Sequence, residues 1–445
     1  MVQKPNGKTA AVIGGGYSGL VGAIRLAEAG YAVTVLEHGP TVGGLAGDFH
    51  IEGAPMEKAY HHLFRTDRDI IALAKELGVG HKLEWHTGKT ALFYNGVVHS
   101  FNGPLDLIRF TPLSFGNRVR TGLVALYLQL NKKWDRYRTV TAYEWMRKAV
   151  GQQATAVIWE PLLRGKFDKH FDKVAMAWLW ARIHVRGNSK EKGELTEKLG
   201  YFAGGFETFT NALVKRAEEL GVTIRTRSGI EKLDSDGRKV TLTVAGGSVE
   251  QFDSCMATIP SGAFARLIEG AAGASPEYLA KLRSIDYLGA RLMVFSSDQD
   301  ISPYYWHNIN DVDLPFLVFI NHTKLMGTAP YGGKNVYYIA TYVGMDHELF
   351  TCSDEELEKV WFAGLRRVFP GFAAGAVREK HFFRFGNAQH IVTTDYASKI
   401  PAHRTPVPNV YLCNFSQIFP EDRGTNYAVR DGEAVARQLI ADAAG

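Results

Sequence analysis

Three groups of residues in this chain have types and spacings that chemistry can use. The first is Gly14-Gly15-Gly16-Tyr17-Ser18-Gly19, with Glu37 eighteen residues after the last glycine. Gly14 permits a tight turn. Gly16 has no Cβ, so a phosphate can approach the backbone, and Gly19 lets a helix pack close to a strand. A helix opening here would offer free N–H groups and the positive end of its dipole to a pyrophosphate. Glu37 lies where an acid accepts hydrogen bonds from a ribose. These residues describe a dinucleotide site, and alone they do not choose between the nicotinamide and flavin dinucleotides.

The second group is Tyr60-His61-His62-Leu63-Phe64-Arg65-Thr66. His61, His62 and Arg65 are the candidate catalytic residues, able to position an anionic or polar group; a satisfied core histidine is an equally weighted role. Adjacent side chains diverge on a strand and spacing places no third ligand, so no metal is expected. The third group joins Glu160-Pro161-Leu162-Leu163-Arg164-Gly165-Lys166-Phe167 to Arg182 and Arg186. Those arginines are four apart and share a helix face. They could hold a phosphate or carboxylate bidentately, but a solvated basic surface is expected, because charge runs usually face water. Tyr304, Tyr305, Trp306, His307 and Tyr342 read mainly as core or pocket wall.

The elements that must position these groups are legible around the first of them. Ala10–Ile13 is an apolar run of the kind a buried parallel strand requires. Leu20–Ala29 has a helical pattern, Gly30 ends it as a C′ glycine, and Ala32–Leu36 is a second strand. At 445 residues, 46% hydrophobic and 22% charged, the chain is a globular sequence of two or three domains. Its net charge of +5 fits an anionic ligand or surface. No zinc-finger spacing, RNP-type motif or dense basic tract supports nucleic-acid binding. Cys255, Cys352 and Cys413 form no disulfide framework, which suits a reducing cytosol. The N-terminus lacks a signal-peptide core, no apolar stretch is long enough for a membrane span, and a cytoplasmic protein is expected.

The segment Glu37-His38-Gly39-Pro40-Thr41-Val42-Gly43-Gly44-Leu45-Ala46 resembles the second glycine motif of the flavin-containing amine oxidases, protoporphyrinogen oxidases, phytoene desaturases and UDP-galactopyranose mutases. Gly204-Gly205-Phe206, Ala257-Thr258-Ile259-Pro260 and the run from Val410 through Arg423-Gly424-Thr425-Asn426-Tyr427 extend the resemblance. It implies FAD as cofactor. It also implies that His38, Gly43, Gly44, Leu45, Gly424, Asn426 and Tyr427 join Gly14, Gly16, Tyr17, Ser18, Gly19 and Glu37 around it. The C-terminal helix N-terminus would face the flavin ring, next to Glu421, Asp422 and Arg423, where either acid could be a base or an ion-pair partner. Relatives with amine oxidase activity often have Arg after the second glycines, where Leu45 stands here. The family also has Gly-Asp after the last strand, where Cys413-Asn414-Phe415-Ser416-Gln417 stands. Asn414 or Ser416 would have to supply the ribityl contact.

The motif order implies an α/β protein with a discontinuous Rossmann-type FAD domain, residues 1–99, 200–274 and 386–445. An inserted α+β substrate domain would comprise 100–199, mostly helical, and 275–385. The expected activity is hydride abstraction from a C–H or C–N bond of a small, anionic or lipophilic substrate. The alternative is a non-redox sugar-nucleotide mutase. Between Ile108 and Arg138, basic and aromatic residues mix with apolar ones. An ordinary amphipathic cap helix is expected there, with a peripheral contact to an anionic membrane as the alternative.

Overall fold

The computed structural model describes residues 6–189 and 197–444. At its centre is a five-stranded parallel sheet in the order Val410–Leu412, Ser254–Ala257, Thr9–Ile13, Ala32–Leu36, Thr223–Arg225. Val12 lies in register with Met256 on one side and Val35 on the other. The central strand is covered on both faces, as its unbroken apolar run demands. Ala10 and Val12 point to one core; Ala11 and Ile13 point to another. The helices Tyr17–Glu28 and Thr425–Asp442 pack on the first face. The second face carries an antiparallel meander, Ile230–Ser235, Val240–Val244 and Val249–Phe252, whose last hairpin turns at Gly246-Gly247. Small residues let the two helices approach. A Cβ on Gly432 would lie 2.6 Å from the Ser18 carbonyl oxygen.

The first helix starts at Tyr17, three residues earlier than the apolar pattern indicates, so the glycine turn is tighter. Gly30 sits at φ 87° and its N–H reaches the Ala27 carbonyl at 2.9 Å, which ends the helix.

A second, seven-stranded sheet has the order Val377–His390, Tyr287–Ser297, Asn335–Val343, Val318–Asn321, Trp306–Ile309, Thr90–Tyr94, Val97–Ser100. One face is covered by the helix Asp354–Val368 through Leu357, Trp361 and Leu365; Leu292, Val294 and Tyr338 belong to the core shared with the parallel sheet. Residues 100–189 are helical around Met146, Phe167 and Trp178. The α/β architecture with an insertion is as expected. Two edges differ: Thr90–Tyr94 and Val97–Ser100 fall in segment 1–99 yet pair into the second sheet, and Val377–His390 runs across position 385. Strand pairing across the second sheet fixes these edges, whereas the motifs locate only the first.

Candidate cofactor and substrate site

The first half of the site is made of backbone. Gly14 has φ 105°, and the Thr258 hydroxyl donates to the carbonyls of Ile13 at 3.0 Å and Gly14 at 3.2 Å. A Cβ on Gly19 would lie 2.0 Å from the Gly14 carbonyl oxygen, so only glycine fits under the turn. Gly16 has an ordinary φ of −73°, and the atom nearest to a Cβ there would be Gly44 Cα at 3.8 Å. Its lack of a side chain therefore serves open space. Gly43, at φ 104°, donates its N–H to the Gly15 carbonyl at 2.8 Å, so the two glycine motifs lie backbone against backbone. Glu37 accepts the N–H of Gly15 at 2.7 Å and that of Gly39 at 2.6 Å, one on each carboxylate oxygen. A floor cleared of Cβ atoms, a first helical turn with free N–H groups and a fixed acid fit the pyrophosphate and ribose of a dinucleotide. Ser18 and Gly44 border this floor, Leu45 is half-buried beside it, and His38 is exposed next to Gly229.

Two expected cofactor contacts change. The Tyr17 side chain turns into the core, its hydroxyl 3.1 Å from Thr210 Oγ1 and its ring edge-on to Phe209, which leaves only its backbone at the helix start. The Asn426 amide caps another helix. Its oxygen accepts the N–H groups of Asp69 and Ile70 at 2.9 and 3.1 Å, the start of Arg68–Glu76. Gly424 is the exposed N-cap of the last helix, and Tyr427 lies half-buried under Arg430. Neither expected substitute for the family Asp is available: Asn414 bonds to the Ile259 carbonyl, Ser261 and Ser416, and Ser416 bonds to Ser261. Burial pushes the thiol of neighbouring Cys413 far up, so it stays protonated.

The second half is made of side chains from distant segments. The Asp422 carboxylate lies 3.2 Å from Lys166 Nζ and 3.1 Å from Arg182. Burial alone would raise its pKa, but Lys166, Arg182 and Arg423 hold it far below the carboxylate range. Arg423 donates to the Tyr342 hydroxyl at 2.8 Å, and Lys166 sits over the Tyr342 ring. Burial opposes ionisation of that phenol, yet Arg423, Lys166 and a hydrogen bond with Tyr60 pull it down to about 8. It reports a positive local field. One turn from Arg182, Arg186 pairs with Glu197 at 3.1 Å and lies over Phe64. Half-buried Arg182 thus turns to Asp422, while the Arg186 side chain stays 41% exposed beside Glu197. Their spacing defines a shared face, but the burial of the helix Met176–Gly187 between the helical layer and the chamber decides which face it is.

His61 donates Nδ1–H to the Ala59 carbonyl at 2.7 Å, which leaves Nε2 as an acceptor. His62 Nδ1 meets the Tyr305 hydroxyl at 3.1 Å. Burial, with the nearby arginines adding to it, lowers the two to about 4 and about 3, so both are neutral near pH 7. The Arg65 guanidinium lies over Trp85, 3.8 Å from the ring centre. His307 is a core residue bonded to Ser302 at 2.7 Å.

Three further residues escaped sequence reasoning. His390 ends its strand fully buried and stacked on Tyr396, held neutral by burial at about 3. Tyr60 partners Tyr342 and packs edge-on against Trp306. Glu57 accepts the Phe206 N–H at 2.6 Å and the Tyr201 hydroxyl at 2.8 Å, and burial raises it to about 7. Glu57 is a lone acid at a strand end, a weak signal; His390 carries none.

A parallel sheet ending in a side-chain-free cradle, beside charged side chains from inserted elements, has the form of a dinucleotide-binding fold. The chain matches the flavin containing amine oxidoreductases over residues 17–440 and belongs to that family. It is 26% identical over 250 residues to the Mycobacterium tuberculosis protein AofH, which carries the name of a flavin-containing monoamine oxidase; 54% of each is covered, so the chain spans about half of that relative. It is 23% identical over 415 residues to the mitochondrial protoporphyrinogen oxidase of Nicotiana tabacum, covering 81% of each. A solved Exiguobacterium structure titled as a protoporphyrinogen oxidase superposes with TM-score 0.76 at 18% identity over 98% of this chain and 100% of that one. Reduced UDP-galactopyranose mutase does so with TM-score 0.73 at 14% identity, over 98% and 96%. At these identities the two structures show the fold alone. Among the described residues no helix is long and apolar enough to cross a membrane.

Proposed function

We propose that this enzyme oxidises a C–H or C–N bond of a small organic substrate bearing a carboxylate or phosphate. When bound, FAD supplies the hydride acceptor. Gly14, Gly16, Gly19, Gly43 and Gly44 would clear its pyrophosphate path, Glu37 would hold its ribose, and the start of Thr425–Asp442 would face the ring. The observation that carries the substrate class is the chamber's charge. Among the described residues, Lys166, Arg182, Arg186 and Arg423 stand against Asp422 and Glu197. One uncompensated cation about 4 Å from a substrate ammonium costs about 4 kcal/mol at an effective dielectric near 20, and stabilises an anion by the same amount. An anionic substrate is favoured over a cationic amine. Neutral His61, with Nε2 open as an acceptor, would take a hydrogen bond from the substrate and help to orient it.

The same cations would also suit the diphosphate of a sugar nucleotide, which is the ground for the mutase reading. Anaerobic mixing separates the two. Bleaching of the oxidised flavin by carboxylate- or phosphate-bearing candidates, and not by polyamines, is expected. Turnover of a UDP-sugar only after prior flavin reduction, with no net electron use, would sink the redox reading.

A further inference from the structure

The helix Phe115–Leu130 is apolar on both sides. Thr121 and Leu128 are buried, and Val124 packs on the helical core. On the opposite side Phe115, Val119, Leu123, Leu126, Tyr127 and Leu130 follow helical spacing and are exposed, Leu123 at 63% and Leu130 at 68%. The short helix Pro104–Arg109 beside it adds Leu105, 72% exposed, and Ile108. Of fourteen large hydrophobics exposed among the described residues, ten lie between Val97 and Val140. The expected amphipathic cap helix would have shown polar residues there. A continuous apolar face of this kind marks a docking surface.

Charge identifies what covers it. The stretch from Leu105 to Arg138 holds seven Lys and Arg residues against two Asp. Lys132, Lys133 and Arg138 are exposed where the helix ends, and Arg109 is exposed on the short helix. Arg136 bonds to the Tyr127 hydroxyl, so its cation sits at the rim of the apolar face. A second copy packed about a two-fold axis would bring these cations against their own kind. An anionic bilayer matches both parts: acyl chains for the leucines, phosphates for the rim.

We infer that this face seats the enzyme on the surface of an anionic phospholipid membrane, with Phe115–Leu130 lying in the plane of the interface. The inference stands apart from the substrate reading, but it places the site. Behind the helix packs Met176–Gly187, joined to it by Gln129 Nε2 to the Gly187 carbonyl at 2.6 Å; its next neighbour inward is the chamber that Arg182 and Arg186 line. The chamber would then lie one helix layer from the bilayer, within reach of an anionic substrate held in lipid.

The test is sedimentation of the FAD-loaded protein with vesicles of phosphatidylcholine alone and of phosphatidylcholine with phosphatidylglycerol. The protein is expected to pellet with the anionic vesicles. Lys132→Glu with Lys133→Glu should weaken that binding at least about tenfold and leave flavin content unchanged. Leu123→Asp with Leu126→Asp should abolish it. Protein that stays in the supernatant with anionic vesicles overturns the inference. So does a dimer in light scattering that the leucine pair breaks while vesicle binding is unaffected. If the leucine pair fails to hold FAD, the lysine pair decides: undiminished pelleting of that variant overturns the inference.

Discussion

The cradle and the chamber are two ways of making a binding site. In the cradle, position is set by backbone conformation and by atoms that are missing, and the residues involved lie close together in the chain. In the chamber, position is set by charged side chains that hold one another, drawn from segments as far apart as Tyr60 and Arg423. The first kind tolerates almost no added volume. The second tolerates volume but not the loss of a charge, because each buried ion depends on its partner.

Four changes test that contrast, the largest effect first. Gly19→Val forces a side chain against the Gly14 carbonyl, and no holoenzyme is expected; flavin content after purification checks it, and a yellow, normally loaded variant would break the account of the cradle. Asp422→Asn leaves half-buried Lys166 and Arg182 without their carboxylate and should cost about 1–3 kcal/mol in urea unfolding. Exposed Asp135→Asn should stay within about 0.5 kcal/mol.

Acid is the third probe. His61, His62, His322 and His390 stay neutral down to about 4 or about 3 in the folded chain, against an ordinary value of 6.5. Below 6.5 the unfolded chain therefore takes up protons that the folded chain refuses, and stability falls with pH. Glu57, raised to about 7, and Asp67, raised to about 6, act in the opposite sense and offset part of the loss. The melting temperature should drop between about pH 7 and about pH 5. His390→Phe, which keeps the stacked ring, should recover about 1–2 kcal/mol of that loss. The smallest effect sharpens the contrast most. Gly16→Ala meets nothing closer than 3.8 Å, so the apoprotein should melt normally, while FAD affinity, read by titration, falls about tenfold, or about 1.4 kcal/mol.

The same contrast explains what could be read from the chain. The turn, helix and strand around Gly14 were legible because their signal is local, and Gly14, Gly19 and Gly30 stand where the spacing puts them. Asn426 fell in a recognisable motif, yet its amide caps a helix that begins some 357 residues earlier, a pairing that no local pattern announces. Arg182 and Arg186 shared a face on periodicity, but periodicity does not say what lies opposite. The Leu123 face poses a related question: helical spacing gathers Phe115, Val119, Leu123, Leu126, Tyr127 and Leu130 on one side but does not say what covers them.

The sheet order has one more consequence, for the sequence of events in folding. The strand that carries the glycine turn is clamped between Ala32–Leu36 and Ser254–Ala257, and the edge beyond it is closed by Val410–Leu412. Glu57 adds a second delay, since its carboxylate waits for Phe206 and its carbonyl for Tyr338, the latter at 2.7 Å. The glycine turn is made long before residue 412, so the platform that orients it stays incomplete until Val410–Leu412 has joined the sheet, and until then the sheet keeps an open edge.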